Sequence, residues 1–415
     1  MFPSVGFKKA DGSFYPSWTT KQFLSLINNI VDFRGRTPKK LGMDWASEKT
    51  DFLALSALNV KSGYIDFSAD PHYGDEELYE KWMSGNELRK GQVLFTTEAP
   101  MGNVAQVPDD RPYILSQRTI AFDVDEEQID EGFLAFLLLS PNVQAALSKL
   151  ATGGTATGIS QKSLAKLNVT IPSSIEEQQK IADFLSSVDE VISTSVQEVT
   201  NLETQKKAVM KKIFSQEVRF KRDDGTDFPG WEEKPLGTVA GVYDGTHQTP
   251  EYVAEGIKFV SVENISNLFG SNKYITEDAF LKQYKNNAPQ KGDVLMTRIG
   301  DIGTAALVSS DEQLAYYVSL ALLKPSSVIR PNYLVQAIAS DFFQSELWIR
   351  TLHTAYPKKI NKEDIGKCLI QIPCLEEQQL IADFLSDFDE AIAEAKKELE
   401  LWKELKKGLL QQMFV

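Results

Sequence analysis

Residues Glu176 to Ile192 read EEQQKIADFLSSVDEVI, and residues Glu376 to Ile392 read EEQQLIADFLSDFDEAI. Thirteen of these 17 paired positions are identical, and each run follows an Ile-Pro pair, Ile171-Pro172 and Ile372-Pro373. Solenoid repeats recur every 20 to 50 residues or so. A period of about 200 residues therefore implies a duplicated domain together with its helix.

Downstream of each run the apolar positions step by four and three. The first series is Ile181, Leu185, Val188, Ile192, Ser195, Val199, Leu202, Lys206, Val209 and Ile213. The second is Ile381, Leu385, Phe388, Ile392, Ala395, Leu399, Trp402, Lys406, Leu409 and Met413. Heptad spacing sustained this long is what a coiled-coil seam requires. Two helices are expected, at 174–216 and 374–415, each with a seam roughly 50 Å long at 1.5 Å per residue. Ser174 and Glu177 have capping-box spacing at the first start, whereas Cys374 weakens the second. Two helices packed separately on their own domains would satisfy the same pattern, but a two-fold relation between copies favours pairing with each other, antiparallel, as a spacer between the two bodies.

The duplication reaches beyond the helices. Phe7 to Trp18, FKKADGSFYPSW, recurs as Phe220 to Trp231, FKRDDGTDFPGW. Lys90 to Thr97, KGQVLFTT, parallels Lys291 to Arg298, KGDVLMTR, with Gly102 and Gly303 in register behind them. Phe133-Leu134, Gln144 and Leu147 align with Tyr333-Leu334, Gln344 and Leu347. Helices and linkers agree closely, while the bodies agree only at scaffold positions. The expected fold is α+β: two pseudo-two-fold-related α/β bodies, at 1–173 and 217–373, joined by two long helices that form an antiparallel coiled coil.

Apolar residues make up 42% of 415, enough for real cores. No signal-like run or stretch of about 18 apolar residues appears, so a cytoplasmic protein away from membranes is expected. Cys368 and Cys374 are the only cysteines, read as unpaired thiols. The net charge of −14 argues at first against nucleic acid. Half of it sits on the two helices, and basic clusters occur at Arg34-Gly35-Arg36-Thr37-Pro38-Lys39-Lys40 and Lys358-Lys359, so DNA binding by patches stays open.

Signatures of catalysis are missing from the sequence. There is no Asn-Pro-Pro-aromatic or Asp-Pro-Pro-aromatic motif of an amino-methyltransferase and no Walker A pattern. His72, His247 and His353 stand apart, without zinc spacing, and no metal is expected. Gly153-Gly154-Thr155-Ala156-Thr157-Gly158 could cradle a phosphate, but the second copy has His353-Thr-Ala-Tyr-Pro-Lys-Lys359 there, and a loop is the better reading. Glu232-Glu233-Lys234 offers half of a nuclease site, yet its counterpart is Thr19-Thr20-Lys21, which favours duplicated scaffold.

The Ile-Pro and EEQQ-x-IADFL helix starts, the Gly-Asp/Gln-Val-Leu strands at Gly91 and Gly292, and the Gly-x-x-x-x-Pro loop at Gly245 together resemble the specificity subunits of type I restriction-modification systems, over essentially the whole chain. The resemblance implies that each body is a target recognition domain and that the chain is non-catalytic. It also implies as partners double-stranded DNA, two modification (methyltransferase) subunits and, through them, restriction subunits. No cofactor is expected on this chain; S-adenosylmethionine belongs to the methyltransferase. The family loop Gly-Gly-Thr-Pro is altered here to Arg34-Gly35-Arg36-Thr37-Pro38 and to Gly245-Thr246-His247-Gln248-Thr249-Pro250.

Base edges are read by Arg, Lys, Asn, Gln and hydroxyl side chains, whereas phosphate contacts fix position. Expected DNA-binding residues in the first body are Arg34, Arg36, Thr37, Lys39, Lys40, Thr97 and Arg118. In the second they are His247, Gln248, Thr249, Arg298, Lys358 and Lys359. Two unlike readers predict a bipartite, asymmetric target. A competing expectation, favoured by the acidic charge, is an adaptor with two protein-binding domains clamped by a coiled coil.

Overall fold

The computed structural model describes residues 6–152, 157–285 and 287–414. The chain divides into two compact units, Met1–Val196 with Lys397–Val415, and Gln197–Lys396, so each long helix is shared between them.

In the first unit the strands are β1 (Thr19–Gln22), β2 (Ile27–Asp32), β3 (Phe52–Leu55), β4 (Tyr73–Gly74), β5 (Val93–Thr96), β6 (Val104–Gln106), β7 (Ile114–Leu115), β8 (Thr119–Val124) and β9 (Asn168–Ile171). They form a four-stranded antiparallel sheet β2-β8-β5-β6, a mixed sheet β4-β3-β7 and the pair β1-β9. The helices are α1 (Glu76–Met83), α2 (Glu131–Leu139), α3 (Pro141–Leu150), the short α4 (Gln161–Leu164) and α5 (Ile175–Phe214). Successive side chains of a strand point to opposite faces, and both faces of the larger sheet are covered. Val93, Phe95, Ile120 and Phe122 enter the core shared with α2 and α3, while Leu94, Ala105 and Ala121 enter the core beneath α1 and the mixed sheet. That two-sided burial explains why VLFT is apolar almost throughout.

The second unit repeats this topology. Its strands are β10 (Glu232–Pro235), β11 (Ala240–Asp244), β12 (Ile257–Val260), β13 (Tyr274–Ile275), β14 (Val294–Ile299), β15 (Asp301–Leu307), β16 (Leu314–Tyr316), β17 (Leu320–Pro325) and β18 (Leu369–Ile372). The sheets run β11-β17-β14-β15, β13-β12-β16 and β10-β18. The helices are α6 (Leu236–Val239), α7 (Glu277–Tyr284), α8 (Pro331–Ala339), α9 (Asp341–Arg350), α10 (Lys362–Lys367) and α11 (Leu375–Met413). Glu232-Glu233-Lys234 lies in β10, paired with β18, and the Lys234 ammonium is 2.6 Å from Glu232. Among the described residues no group of three or more His, Cys, Asp or Glu side chains could hold a metal ion.

The two long helices pack together. α5 starts in the first core through Ile181, Ala182 and Leu185 and ends in the second through Ile213 and Phe214. α11 starts with Ile381, Ala382 and Leu385 in the second core and ends with Met413 and Phe414 in the first. Within the first unit Lys406 pairs with Asp189 at 2.6 Å; within the second Lys206 pairs with Asp389 and Lys396 with Glu203, both at 2.6 Å. Partner numbers rise on one helix as they fall on the other, so the strands of the pair run antiparallel. The heptad positions from Ile181 to Ile213 and from Ile381 to Met413 are buried or half-buried. Lys206 and Lys406 occupy those series half-buried, each with its ammonium group on an aspartate of the partner helix.

The EEQQ starts have a structural reason. Gln178 accepts from the Asp130 N–H at 2.8 Å and donates to the carbonyls of Gln128 and Pro172. Gln378 does the same with the Arg330 N–H at 2.8 Å and the carbonyls of Val328 and Pro373. Each glutamine thus ties the long helix to the N-terminus of α2 or α8. The expected capping box between Ser174 and Glu177 does not form; the Ser174 carbonyl accepts from the Gln178 N–H. The Glu177 carboxylate accepts from the Trp18 indole at 3.2 Å instead of reaching back to Ser174, because its side chain points into the core.

Gly102 and Gly303 have φ of +92° and +95°, and a Cβ at either would meet the side chain of Gln144 or Gln344 at 2.7 and 2.6 Å. Those glutamines donate to the glycine carbonyls at 2.8 and 2.9 Å. The glycine and glutamine of each copy are therefore one device, tying the turn between β5 and β6, or the irregular start of β15, onto the following helix pair. Cys368 is free and buried, which pushes its thiol up to about 12, and Cys374 is free. No single helix among the described residues is long and apolar enough to cross a membrane.

Candidate nucleic-acid interface

Topology gathers the loops of each unit at one end of its four-stranded sheet. Asp32 ends β2, Thr96 ends β5, and Thr119, its partner across the sheet, opens β8. The segments 33–45, 97–103 and 116–118 accordingly leave the sheet on the same side. In the second unit Asp244, Ile299 and Leu320 occupy the corresponding places.

Arg34 is anchored by Asp32, with its Nε 2.8 Å from Oδ1, and Gln161 donates to the same carboxylate at 3.1 Å. Burial alone would raise Asp32, but these hydrogen bonds outweigh it and hold the carboxyl below its ordinary value. The guanidinium of Arg34 is raised by its hydrogen bond to Asp32. Arg36 is spent within the fold: it donates to the Trp82 carbonyl and lies 4.3 Å over the Phe33 ring. Thr37 caps the turn Pro38–Leu41, and Lys40 donates to the Gly35 carbonyl at 2.6 Å; Lys39 faces solvent.

Thr97 is 1% exposed, and its hydroxyl donates to the Arg118 carbonyl at 3.2 Å. It fixes the backbone that presents Arg118, which is exposed, has φ of +63° and lies 3.6 Å from Glu98. Beside Arg118 opens a cleft of about 180 Å³ lined by Trp45, Ser56, His72, Ser116 and Gln117 among others. Sequence reasoning found Arg118 but not Gln117, His72 or Trp45 as its neighbours. Trp45 and His72 come from segments far from Gln117-Arg118, so no local pattern could group the three.

In the second unit Arg298 is 5% exposed, paired with Asp244 and donating to the Ile360 carbonyl at 3.0 Å. It is a brace for the end of the sheet, with its guanidinium turned inward. Asp244 also lies 3.9 Å from His247. Gly245 packs against the carbonyls of Tyr316 and Tyr317, where any Cβ would collide, and from this pinned start His247, Gln248 and Thr249 run exposed. Lys359 bridges Ile299 and Leu352 through its backbone, and Lys358 lies 5.1 Å over the Trp348 ring.

The structure thus brings Arg34, Lys39, Lys40 and Arg118 to one loop end, and His247, Gln248, Thr249, Lys358 and Lys359 to the equivalent end of the other unit. Arg36, Thr37, Thr97 and Arg298 are held inside these loops. Gly153 to Ala156 of the glycine-rich run lie outside the described residues. The exposed set offers ammonium, guanidinium, amide, imidazole and hydroxyl groups, suited to base edges and phosphates, on loops positioned by a rigid sheet.

Known proteins agree in fold and in sequence. The type I restriction enzyme MjaVIII specificity subunit of Methanocaldococcus jannaschii is 26% identical over 72% of this chain and 72% of its own length. The putative type I restriction enzyme MjaX specificity subunit of the same organism is 23% identical over 99% of this chain and 96% of its own. The crystal structure of the type I restriction-modification system S subunit from M. genitalium superposes with a TM-score of 0.64 at 16% identity, covering 100% of this chain and 99% of that one. The family profile described as "Type I restriction modification DNA specificity domain" matches residues 22–204 and 229–401, once per copy of the duplication, and the chain belongs to that family, as a DNA specificity subunit of a type I restriction-modification system.

Proposed function

We propose that each unit reads one half of a bipartite, asymmetric DNA target, with recognition domains at 1–173 and 217–373 and the helices at 174–216 and 374–415 as their shared frame. One observation carries the reading: scaffold residues such as Gln178/Gln378 and Gly102/Gly303 repeat, whereas the exposed residues at the two loop ends do not. Arg34, Lys39, Lys40 and Arg118 in one unit face different chemistry from His247, Gln248 and Thr249 in the other. Different donor sets select different bases.

The chain's part is recognition. Methylation and cleavage belong to two modification subunits and to restriction subunits docked through them, with S-adenosylmethionine held by the methyltransferase. Arg36, Thr37, Thr97 and Arg298 act by holding the loops rather than by touching bases. Exchange of residues 20–165 for the equivalent segment of another specificity subunit tests the reading when adenine methylation is mapped genome-wide. One half-site is expected to change and the other to persist; replacement of both, or of neither, refutes independent reading. An adaptor for proteins alone would leave no sequence-dependent methylation to map.

A further inference from the structure

The loop Leu352–Lys359 connects α9 to the loop end of the second unit, and it is built unlike anything else there. Its base is tied down: Leu352 N–H donates to the Lys359 carbonyl at 2.8 Å, Gly300 N–H to the Lys358 carbonyl at 2.8 Å, and Ile360 N–H to the Arg298 carbonyl at 3.1 Å. The Trp348 ring is flanked by His353, 4.1 Å between centroids, and by the Lys358 ammonium. Tyr356, at the tip, is fully exposed. A bare aromatic ring on a braced loop, followed by Lys358 and Lys359 in a chain of net charge −14, asks for an anionic partner with flat surfaces.

Resting on the reading that this unit recognises DNA, we infer that Tyr356 stacks against a base step beside the second unit's half-site, while Lys358 and Lys359 lie on the flanking phosphates. The duplication separates this occupant from a protein one. A docked subunit present in two copies meets two equivalent surfaces, and features that serve it recur in both units. The tip does not recur: Thr152 to Gly158 reads TGGTATG, with no aromatic residue. It varies as the exposed reading residues vary, which points to the asymmetric partner, DNA. Aromatic side chains placed at base steps in this way stack or wedge, and lysines beside them neutralise phosphate.

The test uses the full chain assembled with its methyltransferase subunits, on a duplex whose target has been mapped by methylation and which carries 2-aminopurine next to the second half-site. Wild type should change the probe's fluorescence on binding. Tyr356→Ala should abolish that change and weaken specific binding roughly tenfold, within the range for one aromatic–base stack; Tyr356→Phe should behave as wild type. Replacing Lys358 and Lys359 with Ala should make the salt dependence of binding shallower by about two phosphate contacts. Unchanged fluorescence and affinity in Tyr356→Ala overturn the inference, as does a loss of methyltransferase assembly in its place. Failure of the wild-type complex to methylate in a sequence-dependent way overturns the parent reading instead, so the two failures are distinguishable.

Discussion

Glu177 and Glu377 hold the same place at the starts of the two long helices, yet their surroundings differ. Glu377 is wholly buried and receives the Trp231 indole at 2.9 Å and the Arg219 guanidinium at 3.1 and 2.7 Å. Glu177 receives only the Trp18 indole, and its second oxygen has no partner among the described residues. Aligning Phe7 with Phe220 puts Gly6 where the second unit has Arg219. A duplicated frame has therefore kept its geometry while its energetics drifted apart. Breaking a buried pair from one side leaves an uncompensated charge, so the second copy stands to lose most.

Glu377→Ala should be the most damaging change, about 3 kcal/mol, with Glu177→Ala costing much less. Because two units need not unfold in one step, amide exchange within α8 and α2 is the fitting readout. Equal loss of protection in both units would remove the asymmetry. The neighbouring glutamines set the opposite expectation. Gln178→Ala and Gln378→Ala each orphan one buried N–H and free two carbonyls, so both should cost about 2 kcal/mol. A clear difference between them would show that the frame is less duplicated than its hydrogen bonds.

Smaller still are Gly102→Ala and Gly303→Ala. Each puts a side chain at positive φ and against a glutamine already hydrogen bonded to that glycine's carbonyl, for about 1–2 kcal/mol. Melting of the full chain should fall by similar amounts for the two variants, and sequence specificity should stay intact, since both glycines are buried against their glutamines.

What the sequence made legible follows from this division. The helices, their antiparallel pairing and the two-body plan were readable because heptads and duplicated motifs are periodic or self-similar. Arg298 and Thr97 read as surface donors, since nothing local reveals that Asp244 and the Ile360 carbonyl, or the Arg118 carbonyl, will enclose them. The same limit hid the cleft beside Arg118 and the exposure of Tyr356, which arise where distant segments meet. Glu177 and Gln178 were read as part of a helix start, and only burial turned them into core fasteners.

The smallest effect probes the unmatched carboxylate itself. Burial, opposed in part by the Trp18 hydrogen bond, raises the Glu177 carboxyl above its ordinary 4.5. The folded state then favours the protonated form. This group's contribution is fully present below pH 4.5 and is lost as the pH rises through the folded pKa. Glu177→Gln removes that dependence while its amide oxygen still accepts from Trp18. The variant should match wild type near pH 4 and exceed it in stability towards pH 7. Glu377→Gln should move the other way at pH 7, since Arg219 then loses its anion. Gly6→Arg offers the decisive control: if the missing guanidinium is the whole difference between the copies, adding it in the first unit should erase the gain from Glu177→Gln, whereas a persisting gain would trace the asymmetry to the Trp18 pocket instead.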